Sequence, residues 1–159
     1  MNTANRATYT TAGVAQTRAL GRRLARLLRA GDVVLLQGTL GAGKTALAQG
    51  VGQGLRLDTP VTSPTFVLMT RHEGALRLYH ADLYRLTDPA EVEDLALEQQ
   101  AADGVLLIEW PERGIEVLPA EHLLVVIDLV EGAPKERRIT IVASGERYRR
   151  ILDGLGARG

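Results

Sequence analysis

The chain has 159 residues, enough for one domain with a sizeable core and too few for two domains and a linker. With 19 basic against 19 acidic side chains the net charge is zero, which argues against broad attraction to a polyanion while leaving room for a local basic patch. At 45% hydrophobic and 24% charged the composition is globular, and the absence of cysteine excludes disulfides, thiolate zinc sites and a cysteine nucleophile.

The N-terminal segment is rich in arginine and has no apolar stretch of signal-peptide length. The longest apolar runs of the chain, Val33–Leu36, Val105–Ile108 and Leu123–Ile127, fall far short of a bilayer span, so a cytoplasmic protein with no membrane contact is expected. In chain order, Thr8–Thr11 reads as an edge strand. Val14, Leu20, Leu24, Leu27 and Leu28 recur at helical spacing, which predicts an amphipathic helix ending at Gly31. Val33–Leu36 lacks polar alternation and is expected to be a strand buried on both faces. A Gly-rich turn and a helix over 43–55 follow. Residues 67–71 and 75–79 are predicted to form a hairpin across Glu73-Gly74. Asp88-Pro89 is a helix start, with Asp as cap and Pro in the first turn. Val105–Ile108 is a second buried strand, Leu123–Val130 and Arg138–Ala143 are paired strands, and 145–156 is a terminal helix. These elements predict a single-domain, three-layer α/β fold whose mixed, mostly parallel sheet has an antiparallel edge and a hairpin.

Gly38-Thr39-Leu40-Gly41-Ala42-Gly43-Lys44-Thr45 matches G-x-x-x-x-G-K-S/T between a buried strand and a helix, the context a phosphate loop requires. Chance would supply roughly 0.002 such matches at this composition, which sets aside a coincidental turn. Glycines let successive N–H groups face the phosphates, Lys44 would reach the β- and γ-phosphates, and the Thr45 hydroxyl would bind Mg²⁺. All cations here except Lys44 and Lys135 are arginine, so lysine stands where a compact ammonium must fit among phosphate oxygens.

The apolar run 105–108 ends in Glu109, the form of a Walker B strand, whose carboxylate would hold Mg²⁺ through water or orient the attacking water. A solvent-facing Glu at a strand end is the competing reading. Trp110, which follows, suits the nucleotide site and an ordinary packing role equally. In His80-Ala81-Asp82-Leu83-Tyr84-Arg85, alternation puts His80, Asp82 and Tyr84 on one face, where Asp82 would complete the metal shell or polarise water. Taken alone, a structural polar cluster is the stronger reading of these residues. His72 and His122 are expected at the surface or in loops. Residues 61–66 read first as a turn before a strand and second as a switch-like loop sensing the γ-phosphate.

GTLGAGKT, TSPTF, YHADLYRL and LIEWPER, in this order and at these distances, resemble the TsaE (formerly YjeE) family of small bacterial P-loop ATPases over roughly residues 10–143. The resemblance implies the P-loop NTPase fold and an ATPase that acts on the TsaB–TsaD pair in threonylcarbamoyladenosine formation on tRNA; with no obvious arginine finger in a loop beside the site, hydrolysis by the protein alone is expected to be slow. That pair carries the group to tRNA, so contact with tRNA would be indirect. Carried over by motif, Lys44 and Thr45 match the Walker A pair, Asp82 the aspartate of H-x-D, and Glu109-Trp110 the E-W pair. Arg138 falls where family members tend to place an arginine that can approach the nucleotide. Thr39 stands where Asp or Asn is usual, and Phe66 where many members have Tyr.

The site expected is therefore Gly38 to Thr45 with Trp110 and Arg138 for ATP, Thr45, Asp82 and Glu109 for Mg²⁺, and Asp82 and Glu109 for catalysis. A small-molecule kinase is an alternative, but the stretch 85–104 is acidic and lacks an Arg-rich lid. A non-catalytic, nucleotide-dependent interaction module is another. No N-K-x-D segment is present to read guanine.

Overall fold

The computed structural model describes residues 5–39, 41–62 and 68–157. Of the segment 61–66, read as a turn or a switch-like loop, residues 63–66 lie outside them. Strands are β1 (Arg6–Ala12), β2 (Val33–Gly38), β3 (Met69–His72), β4 (Leu78–Asp82), β5 (Val105–Glu109), β6 (His122–Val130) and β7 (Ala133–Ser144). Helices are α1 (Val14–Ala25), α2 (Lys44–Gly54), α3 (Pro89–Asp94), α4 (Leu97–Gln100) and α5 (Glu146–Ala157), with short 3₁₀ turns at Pro111–Arg113 and Ile115–Val117.

The seven strands form one sheet in the order β1-β7-β6-β2-β5-β4-β3. β6, β2, β5 and β4 are mutually parallel, β3 pairs antiparallel with β4, and β7 lies antiparallel between β6 and β1. Only β3 and β7 therefore run against the common direction, and the sheet is mixed with a parallel centre. β2 earns its apolar run by being buried on both faces. Val34 and Leu36 join the large core beneath α1, α2 and α5, whereas Val33 and Leu35 join a smaller one beneath α3, α4 and the residues up to Leu118. Among the described residues no helix is long and apolar enough to cross a membrane.

Three boundaries differ from the periodicity. Helix α1 stops at Ala25 rather than running to Gly31, because the Leu27 and Leu28 amides turn to the carbonyls three residues back; Leu28 still reaches the core. Strand β4 begins at Leu78, not Ala75, since residues 73–76 hydrogen-bond to the turn after α2 through Asp58 N–H to Glu73, Ala75 N–H to Arg56 and Leu76 N–H to Leu55. Strand β7 begins at Ala133, five residues before the expected Arg138. Sequence periodicity also missed the clamp that docks α5. The Arg147 guanidinium grips the buried Asp32 carboxylate at 2.7 and 3.1 Å, and the Tyr148 hydroxyl accepts the Val33 N–H at 2.8 Å.

Helices α1 and α2 pack at backbone contact. A Cβ added to Gly50 would lie 2.1 Å from the Arg18 carbonyl oxygen, and one on Gly21 would lie 2.5 Å from that of Leu47. Arg18 and Arg22 reach across to Gln49 and Gln53 and close the rim of this contact. Gly50→Ala is expected to force the helices apart and destabilise the fold by about 1–3 kcal/mol. That predicts a thermal midpoint lower by about 2–4 °C per kcal/mol, and a calorimetric midpoint equal to wild type would refute the contact.

Candidate active site

Because β2, β4 and β5 are parallel neighbours, their C-terminal ends open on the same edge of the sheet, where ligands of open α/β sheets bind. Leu36 and Asp82 are both register partners of Glu109, so Gly38, Asp82 and Glu109 end three adjacent strands together. Side-chain alternation turns His80, Asp82 and Glu109 toward the face covered by α1 and α2, since Leu78, Val105 and Leu107 on the same parity belong to the core beneath those helices.

Residues 38–45 leave β2 and enter α2. Gly41 and Gly43 both have positive φ (82° and 111°), a backbone form that a Cβ would strain, and Gly43 caps α2 without any side-chain hydrogen bond. The first-turn amides of α2 thus face the loop with the favourable end of the helix dipole behind them. Ala42 is fully buried and Thr45 is exposed on the first turn of the helix. Leu40 lies outside the described residues.

Lys44 is 7% exposed. Its ammonium donates to the Gly38 carbonyl and sits 3.9 Å from the centroid of the Trp110 ring, a cation–π contact. Burial lowers its pKa from the usual lysine value, against the pull of Glu109, Asp82 and Glu112. Trp110 is held in a left-handed backbone conformation at φ 59°, unusual for a bulky residue and disfavoured again by Pro111 after it. On its outer side the Tyr84 ring packs against the indole, centroids 4.8 Å apart and planes tilted by 53°, and the Arg113 guanidinium lies 5.5 Å from the Tyr84 ring centroid. Lys44, Trp110, Tyr84 and Arg113 therefore form a column from the loop to the surface.

Glu109 is 3% exposed and its Oε2 meets His80 Nε2 at 2.6 Å. Asp82 accepts the Tyr84 N–H at 2.9 Å. Its carboxyl is nevertheless raised above the usual aspartate range, first by burial and then by the Glu109 charge, with Tyr84 N–H, His80 and Lys44 opposing. Two crowded carboxylates near the Lys44 end of the phosphate loop suit a cation of the Mg²⁺ type, which takes one or two carboxylates together with phosphate and water oxygens. Among the described residues no group of three or more His, Cys, Asp or Glu forms a self-sufficient metal cage.

One expected residue does not approach the loop. Arg138 is exposed in β7, on the side opposite to the inward Ile139 and Ile141, and stands in register between Asp128 and Thr10. Its neighbour Arg137 has the inward parity, and its Nε donates to the Ala42 carbonyl of the loop at 2.7 Å. Strand β7 begins early enough to include Arg137, and its alternation with Ile139 and Ile141 places it on the loop side. The arginine column partner, Arg113, was also not legible, because nothing in its spacing links it to Tyr84. His72 and His122 are half-buried in strand ends rather than free on the surface; His122 Nδ1 bonds the Pro119 carbonyl at 2.9 Å.

Two predictions follow the electrostatics of the site. A raised carboxyl pKa means that ionised Asp82 costs stability at neutral pH, a cost that disappears as pH falls through its folded value towards the ordinary 3.8. Asp82→Asn, which keeps an acceptor for Tyr84 N–H, is expected to raise the thermal midpoint of the ligand-free protein at neutral pH, the gain shrinking in acid; a lower midpoint at neutral pH would contradict it. Lys44→Met removes the ammonium from the chain's single tryptophan and is expected to change its fluorescence emission, whereas an identical spectrum would mean the contact does not persist in solution.

Comparison with known proteins identifies the family of the chain. The family model described as threonylcarbamoyl adenosine biosynthesis protein TsaE matches residues 11–139. The tRNA threonylcarbamoyladenosine biosynthesis protein TsaE of Streptomyces coelicolor is 46% identical over 137 residues, covering 82% of this chain and 93% of that protein. The protein of the same name from Bacillus subtilis is 40% identical over 142 residues, covering 88% of this chain and 87% of its own. The crystal structure of Bacillus subtilis YdiB superposes with a TM-score of 0.79 at 32% identity, over 96% of this chain and 95% of that one. With the phosphate loop, the H-x-D strand and the E-W strand end all inside the matched region, the chain belongs to the TsaE family.

Proposed function

We propose that this protein is a Mg²⁺-dependent ATPase that acts in the threonylcarbamoylation of adenosine in tRNA by permitting repeated turnover of the TsaB–TsaD pair. The reading is carried by one observation, the convergence of the Lys44 ammonium, Asp82 and Glu109 around the phosphate loop at the ends of adjacent strands. Family membership supports the pathway.

The loop amides and Lys44 bind the β- and γ-phosphates and stabilise the charge that gathers on the bridging oxygen as its bond to the γ-phosphorus breaks. Thr45, with Asp82 and Glu109 directly or through water, would hold Mg²⁺, which supplies neutralisation of the phosphate charge. Glu109 or Asp82 orients the attacking water and takes its proton, so that ADP and phosphate leave. Binding requires Lys44 to exchange its contacts with Gly38 and Trp110 for phosphate oxygens. Arg137 is spent on the Ala42 carbonyl and Arg113 lies against Tyr84, which fits slow hydrolysis until a partner completes the site. A neutral chain suits docking on a protein pair better than gripping tRNA itself.

Calorimetric titration of Mg·ATP is expected to give saturable binding, weakened about 10–100-fold by Lys44→Ala through loss of a charge-assisted contact. The deciding experiment is tRNA threonylcarbamoylation with purified TsaB and TsaD. Multiple turnovers are expected only when this protein and ATP are both added. Equal turnover without it would sink the proposal, and γ-phosphate appearing on a metabolite without TsaB and TsaD would make it a kinase.

A further inference from the structure

His80 is 1% exposed and belongs to neither the loop nor the pair of carboxylates discussed above. It is the register partner of Leu107, so its ring reaches diagonally along the sheet face to Glu109, two residues further on. A carboxylate oxygen can only accept, so Nε2 carries the hydrogen and donates it to Oε2 at 2.6 Å. Its other nitrogen, Nδ1, is buried with no hydrogen-bond partner among the described residues. An unpartnered buried nitrogen works against stability, and an apolar side chain in this place would avoid it. The imidazole is therefore held there for what Nε2 does.

We propose that His80 is a positioning residue for Glu109: its Nε2–H pins one carboxylate oxygen in the sheet face and leaves the other, in a fixed orientation, to act on the attacking water or the metal's water. This rests on the reading of Glu109 as a hydrolytic residue. The same bond orients Glu109 next to the left-handed Trp110. It also separates two roles within the H-x-D strand, since His80 orients from below while Asp82, in register with Glu109, faces the nucleotide end.

Side-chain shape provides the test. A glutamine amide can place its nitrogen near the position of imidazole Nε2, whereas an asparagine amide reaches only as far as Nδ1. Steady-state ATP hydrolysis is measured for wild type, Glu109→Gln, His80→Gln and His80→Asn, alone and with TsaB and TsaD, alongside KM for ATP and thermal midpoints. His80→Asn is expected to lower kcat about 10–100-fold with KM little changed, the size typical of losing an orienting partner, while His80→Gln restores most of kcat. Equal kcat in both variants, or a loss confined to KM, would overturn the inference. If Asn destabilises the fold, His80→Phe, which fills the site without a donor, replaces it in the same comparison. Should Glu109→Gln leave hydrolysis unchanged, the hydrolytic reading of Glu109 fails first; should it abolish hydrolysis while His80→Asn and His80→Phe do not, the positioning role alone fails.

Discussion

The parallel alignment of β2, β5 and β4 is the constraint on which the site depends. Evenly spaced parallel hydrogen bonds hold Leu36, Glu109 and Asp82 side by side, so three segments far apart in the chain end at one sheet edge. Such strands must be covered on both faces, and the two unequal cores do this, with long helices over one face and short helical segments over the other. The face under the long helices receives the loop and the charged side chains. Its rigidity comes partly from the near-contact of α1 and α2 at Gly21 and Gly50, which steadies the helix that the phosphate loop opens.

Upon that scaffold the site holds charges that the protein alone compensates poorly. Burial pushes the Lys44 and Asp82 pKa values in opposite directions, each away from its charged form. A phosphate chain with its cation would reverse both penalties at once, matching an ammonium to phosphate oxygens and a carboxylate to a metal. The left-handed Trp110 is a further local cost, retained where its ring can cover Lys44 and pack against Tyr84. Departures from local stability thus gather at the strand ends and are supported by the packed sheet beneath.

Much of this was legible from one-dimensional pattern. The uninterrupted apolar runs of β2 and β5 announce strands buried on both sides, and Asp88-Pro89 does cap α3, with the Asp88 carboxylate accepting the Ala90 N–H at 3.0 Å. Within the phosphate loop, Gly41 and Gly43 lie at positive φ, the conformation for which glycine is the favoured residue. Boundaries were less legible where partners distant in sequence compete for the backbone, as when the turn after α2 takes the residues before β4. Arg138 was assigned by resemblance, whereas alternation with Ile139 and Ile141 turns Arg137 to the loop side of β7. The Asp32–Arg147 clamp spans most of the chain and leaves no local signature.

By itself, the sequence determined the element types, the phosphate loop and the acidic strand end, because hydrophobic periodicity, glycine conformation and a lysine among arginines are properties of short segments. Only the tertiary structure decided that His80 binds Glu109, that Trp110 lies over Lys44 and that Arg137 rather than Arg138 faces the loop. Those relations depend on strand order, register and the parity of side chains across neighbouring strands, and a shift of one residue would send each to the opposite face.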